Sequence, residues 1–127
     1  MEQFLIDTNA ISDYLSAAFT AKAMRFLDDV INAVPKISII SQIELLCWNT
    51  DEATGKNVKS FINDSTVINI TSQVVEQCVA IRKSKKIKTP DAIIAASAMS
   101  LGYTLITNNE KDFGNIKGLK CINPHKL

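Results

Sequence analysis

Short apolar runs alternate along this chain with longer stretches of helical spacing, and that alternation restricts the fold more than any other feature. Phe4-Leu5-Ile6 is a first strand, stopped by Asp7-Thr8-Asn9. Helical patterns follow through Ile11, Tyr14 and Leu15, then through Ala23, Phe26, Leu27, Val30 and Ile31. Ile37 to Ile40, after Pro35, reads as a second strand, with a helix beginning near Ser41 and another over Lys56 to Ile62. Thr66 to Ile70 is a third strand, and Val74, Val75, Cys78, Val79, Ile81 and Arg82 form a helical face. Pro90 opens a helix over Asp91 to Leu101 that Gly102 closes. Thr104 to Ile106 is a fourth strand, and Lys120 to Ile122 suits a short fifth. Strands buried on both faces read as continuous apolar runs, so the pattern predicts an α/β sandwich around a mostly parallel sheet of four to five strands.

The length, 127 residues, suits one domain over 1–127, and the polar stretch from Asn49 to Ser60 reads as a helix connection within it. With 46% apolar residues and a formal charge of +1, the chain is no disordered polyelectrolyte, and its net charge announces no nucleic-acid partner. Cys47, Cys78 and Cys121 are odd in number, widely spaced and set among apolar residues. They suit neither a disulfide framework nor a zinc site and read as small buried hydrophobes. The opening MEQFLIDTNA has no basic segment followed by a long apolar run, no stretch is long enough to span a membrane, and a reducing cytoplasm is the expected compartment.

In a parallel sheet ligands bind beyond the carboxyl ends of the strands. Four acids fall there: Asp7 after the first strand, Glu44 four residues past the second, Asp91 in the first turn after Pro90, and Asp112 six residues past the fourth. Each has a bland explanation. Asp7 can cap a helix, Ser41-Gln42-Ile43-Glu44 matches a capping box, Thr89-Pro90-Asp91 suits a helix start, and Asp112 can be a loop acid. Together they are harder to explain by capping, because ionised carboxylates gathered in one pocket repel unless a cation lies between them. All-oxygen donors suit Mg²⁺ or Mn²⁺, and such sites hydrolyse phosphodiesters.

The same residues carry a family resemblance. Asp7-Thr8-Asn9, Ser41-x-Ile43-Glu44-Leu45, Pro90-Asp91-Ala92-Ile93-Ile94-Ala95-Ala96 and Thr107-Asn108-Asn109-x-x-Asp112-Phe113 resemble, in order and spacing, the motifs of PIN-domain ribonucleases. Length and spacing are similar to those of the VapC-type toxins of bacterial toxin–antitoxin pairs. The resemblance implies a PIN-like three-layer sandwich and a Mg²⁺- or Mn²⁺-dependent endoribonuclease site made by Asp7, Glu44, Asp91 and Asp112. Asp7 and Asp91 would be the principal metal ligands, and Thr8 and Asn109 would orient water or a neighbouring carboxylate. It also implies a tRNA or rRNA substrate, a cognate antitoxin and a homodimer, with the Tyr14 to Phe26 region as an interface. The rival readings are an RNA-processing PIN nuclease without an antitoxin and a catalytically silent PIN-like binding module.

Arg82-Lys83-Ser84-Lys85-Lys86-Ile87-Lys88 places five positive charges in seven residues. They suit a solvated helix end, and Lys85, Lys86 and Lys88 also suit a rim that grips RNA phosphates. His125, the single histidine, reads as a tail residue rather than a general base, which disfavours Ser/His and Cys/His chemistry. Tyr14, Trp48 and Tyr103 are too scattered for a stacking platform and read as core or interface residues.

Overall fold

A computed structural model describes residues 2–127. Its elements run β1 (Phe4–Ile6), α1 (Thr8–Leu15), α2 (Ala21–Asn32), β2 (Lys36–Ser38), α3 (Ile39–Leu46), α4 (Glu52–Asn63) and β3 (Thr66–Ile68). Then follow α5 (Ser72–Ser84), α6 (Thr89–Leu101), β4 (Thr104–Ile106), α7 (Glu110–Phe113), β5 (Cys121–Ile122) and a 3₁₀ turn over Pro124–Lys126. Every strand pairing is parallel, as expected for strands separated by helices. The sheet is less continuous than the sequence implied. β1, β4 and β5 bond as one three-stranded group and β2 with β3 as a separate pair. β2 flanks β1, where Lys36 Nζ donates to Gln3 Oε1 at 3.1 Å. The succession across the molecule is thus β3-β2-β1-β4-β5.

Strand pleating divides the core into two layers. Leu5 and Leu105 point to one face and pack with Val74, Cys78 and Ile81 of α5 and the Ala92 to Ala98 stretch of α6. Ile6 and Ile106 point to the other and meet Ala10 and Ile11 of α1, Ala23 and Leu27 of α2, and Val58 and Phe61 of α4. This is the three-layer sandwich. Gly102 ends α6 in the left-handed conformation at φ 69°, where a side chain would be strained.

Several boundaries differ from expectation. β2 stops at Ser38, whose hydroxyl accepts from the Ile40 N–H at 3.1 Å and caps α3, so Ile39 and Ile40 are helical despite their β-branching. Ser41 is therefore inside α3, and no capping box joins it to Glu44. β3 ends at Ile68 rather than Ile70. α4 begins at Glu52, capped by Asp51 on the Thr54 N–H, so much of the supposed polar connection is this helix's exposed face. Asp112 lies in the four-residue helix α7 rather than in a loop. α6 is capped by Lys88, without a side-chain bond, and not by Thr89. Of the cysteines only Cys78 is buried; Cys121 is half-buried and Cys47 exposed. Trp48 is 36% exposed and so lies outside the core.

Candidate active site

The strand order reverses at the β1/β4 pair, where β1 leads away to β2 and β4 to β5, and open parallel sheets bind ligands at such a point. The β1–β4 register aligns Ile6 with Ile106, so Asp7 and Thr107 leave adjacent strands side by side. The Asp7 N–H donates to the Ile106 carbonyl at 2.9 Å, and the Thr107 N–H to the Ile122 carbonyl at 3.0 Å. Both side chains are therefore placed by backbone.

Asp7 is 4% exposed. Its Oδ1 accepts from the Thr8 N–H at 2.9 Å, which caps α1, and its Oδ2 accepts from the Thr107 hydroxyl at 2.8 Å. Burial drives its carboxyl up from 3.8 to about 6; these two hydrogen bonds hold it down, and the charges of Asp91 and Glu44 add to the rise. Thr8 faces α3, where its Oγ1 lies 2.6 Å from Glu44 Oε1 and 2.9 Å from the buried Ser41 Oγ. One hydroxyl carries one proton, so Thr8 donates to the carboxylate and accepts from Ser41.

Asp91 stands half-buried in the first turn of α6. Burial raises its pKa, and so do the charges of Asp112 and Glu44, while Lys88 opposes them. Asp112 sits on α7. Asn109 caps that helix by accepting the Asp112 N–H at 3.2 Å and returns an amide N–H to Asp112 Oδ2 at 2.9 Å. The four predicted acids thus feel one another across β1, α3, α6 and α7.

The basic segment divides. Lys85 Nζ donates to the Asp112 backbone carbonyl at 2.6 Å and so braces α7 rather than standing free. Lys86 and Lys88 are exposed. Thr107, Asn9 and Ser41, which stand in the motifs without a part in the expected site, also line it. Asn9 Oδ1 accepts from the Asn108 N–H at 3.2 Å and lies 3.5 Å from Thr107 Oγ1. Thr107 had a legible signal, since it follows β4 as Asp7 follows β1.

Among the described residues no three His, Cys, Asp or Glu side chains close on one point tightly enough to encage an ion by themselves. Magnesium does not require that, being held by one or two carboxylates and several waters. The donors are hard oxygens, and burial raises the carboxyls of Asp7 and Asp91 while neighbouring acids add to the rise, a cost that a bound cation would relieve. The residues present therefore fit a hard divalent cation.

A five-strand parallel sandwich with acids gathered at its switch point defines a class of α/β domain. The family model described as "PIN domain" matches residues 4–119, and the chain belongs to the PIN-domain family. It is structurally similar to a toxin–antitoxin complex from Klebsiella pneumoniae, with 30% identity, TM-score 0.75, and 98% of this chain and 100% of that one covered. Similar again are DNA-bound VapBC from Salmonella typhimurium (23% identity, TM-score 0.80, 98% and 99% covered) and FitAcB from Neisseria gonorrhoeae (22%, 0.78, 98% and 100%). No curated protein sequence matches the chain significantly.

Proposed function

We propose that this chain is a VapC-type toxin, a Mg²⁺- or Mn²⁺-dependent endoribonuclease that cuts tRNA or rRNA and is restrained by a cognate antitoxin. Membership of the PIN-domain family and the likeness to toxin–antitoxin structures support a toxin nuclease. The observation that carries the reading is the gathering of the acids at the strand ends, where the charge of Glu44 weighs on both Asp7 and Asp91 and adds to the burial that raises each. Asp7 and Asp91 would hold the cation, with Glu44 and Asp112 binding it directly or through water. When bound, it supplies charge for the phosphate oxygens and lowers the pKa of an attacking water. The chain's own part is positional. Thr107 and the Thr8 N–H fix both oxygens of Asp7, Thr8 steers Glu44, and Asn109 orients Asp112. Lys86 and Lys88, exposed beside α6, would hold the RNA backbone without reading sequence.

Exposed Ile43, Leu46 and Trp48 offer apolar surface suited to an antitoxin, and Val75 and Val79, one turn apart on α5, offer surface suited to a second copy. Among the described residues no helix is long and apolar enough to cross a membrane, and a cytoplasmic nuclease accords with that. The rival is a catalytically silent PIN-like module, favoured by the lack of three acids closing on one point among the described residues. The test incubates purified chain with tRNA and rRNA in Mg²⁺ or Mn²⁺, with and without chelator. Chelator-sensitive cleavage that disappears in Asp91→Asn is expected. RNA bound but uncut by wild type in either metal decides for the silent module.

A further inference from the structure

The C-terminal turn does not hang free. The His125 ring packs on Phe19 with centroids 4.4 Å apart, and its Nε2 lies 2.8 Å from Asp13 Oδ2 on α1. A carboxylate only accepts, so Nε2 carries the proton and donates. The same Asp13 oxygen accepts from Asn108 Nδ2. Asn108 is the residue between Thr107 and Asn109, and its N–H donates to Asn9 Oδ1. The next residue of the turn reaches α7, where Lys126 Nζ pairs with Glu110 at 2.6 Å.

The orientation of Asn108 has a cost. Its Oδ1 is buried with no donor, whereas its Nδ2 meets Asp13. Leaving a buried acceptor unmet is costly, so the amide is turned by its bond to Asp13 at the expense of its own carbonyl. A bonded series therefore runs from His125 through Asp13 to Asn108, whose N–H is held by Asn9 and whose chain neighbour Thr107 holds Asp7 with its hydroxyl.

We infer that His125 is a positioning residue: through Asp13 and Asn108 it holds the Thr107–Asn109 turn in register with α1, and thereby fixes the geometry of Asp7 and α7. The role within catalysis rests on the nuclease reading, while the ordering of the turn does not. It assigns the C-terminal turn a purpose for which neither chain length nor motif spacing accounts. His125 touches no reacting atom. Its effect passes through the acid that it aligns.

Three substitutions separate the hydrogen bond from the packing. His125→Gln keeps a donor for Asp13 and loses the ring, His125→Phe keeps the ring on Phe19 and loses the donor, and His125→Ala loses both. Hydrogen exchange of the Asn108 amide is measured in metal-free protein, Mn²⁺ affinity without RNA, and cleavage with it. In the Phe and Ala variants Asn108 exchange is expected to rise about tenfold as the local bond opens. Their Mn²⁺ affinity is expected to fall about tenfold, the lower end for loss of a group that orients a ligand. His125→Gln should stay near wild type in both, with unfolding midpoints of Gln and Phe similar. Exchange and Mn²⁺ affinity unchanged in Phe and Ala would overturn the proposal, as would a Phe variant equal to wild type beside an impaired Gln variant. A wild type that neither binds Mn²⁺ nor cuts RNA sinks the nuclease reading alone, because the Asn108 exchange still decides whether His125 orders the turn.

Discussion

The two halves of the acid cluster are held by different means. Asp7 stands at the end of a buried strand, its amide in the β1–β4 ladder and each carboxylate oxygen taking a hydrogen bond. Asp112 stands on a one-turn helix that the buried Phe113 anchors in the core and that polar side chains brace at the surface: the Asn109 cap, the Lys85 ammonium on its carbonyl, and the Glu110–Lys126 pair. The inner half is positioned by strand register, which a point substitution cannot easily shift. Beyond its Phe113 anchor, the outer half is oriented by polar side chains near solvent, where each bond is worth little and several must act together. The inner acid should therefore answer mainly through its charge, and the outer acid through its position.

Asp7→Asn breaks the comparison most severely. It keeps the shape while removing the charge, and because an amide has one accepting oxygen, one of the two donors to Asp7 must turn or lose its partner. Cleavage should fall by about a thousandfold if the cation contributes several kcal/mol to the transition state. Stability should move the other way. The folded carboxyl titrates at about 6 against 3.8 unfolded, so the native state binds this proton more tightly. Its stabilising contribution is complete below pH 4 and is lost as pH rises through 6, an effect of about 3 kcal/mol. Metal-free Asp7→Asn should thus unfold at higher denaturant than wild type at pH 7, with the two converging near pH 4. Coincident curves at pH 7 would refute burial as the dominant force on Asp7.

Thr107→Val tests the same half with a smaller change. The hydroxyl donates to Asp7 and accepts the Asn109 N–H at 3.0 Å. Its loss should cost about 1–3 kcal/mol and push the Asp7 carboxyl higher still. Denaturant unfolding and a carboxyl-carbon NMR titration measure the two effects. Asp112→Asn addresses the outer half, and because an amide still pairs with Asn109, stability should hold within about 0.5 kcal/mol. The pKa of Asp91 should fall on losing that neighbouring charge, and cleavage should drop by about tenfold, well short of the Asp7 variant. Equal losses in the two would erase the distinction between the halves.

What the sequence disclosed follows the same divide. The placing of Asp7 after its strand and of Asp91 in its helix was legible because an apolar run, Pro90 and Gly102 mark element ends through local backbone chemistry. The start of α3 was not. Ile37 to Ile40 carries a strand's composition, and the hydroxyl of Ser38, turned onto the Ile40 N–H, overrides it. Because of that single cap Glu44 serves Thr8 across the site rather than its own helix terminus. The division of the lysines was equally hidden, since Lys85 meets α7 through a bond spanning 27 residues of sequence, which no local pattern encodes. Nor does a lone histidine near a chain end disclose that Asp13 awaits it 112 residues away.

The finest test lies among those lysines. Phosphate-gripping cations release counterions, so the logarithm of affinity for single-stranded RNA falls with the logarithm of salt by about 0.7 for each contact. A Lys86→Ala, Lys88→Ala double variant should raise KM severalfold at low salt, flatten that slope by about 1.4, and leave kcat nearly unchanged. Lys85→Ala should do the reverse. Its ammonium is engaged by the Asp112 carbonyl, so its removal loosens α7, lowers kcat and leaves the salt slope close to wild type. Cleavage rates across a salt series for both proteins decide the matter. If Lys85→Ala flattens the slope as strongly as the double variant, the ammonium serves RNA rather than the helix. The polar bracing of the outer half would then reduce to Asn109 and the Glu110–Lys126 pair, and the difference between the two halves would widen.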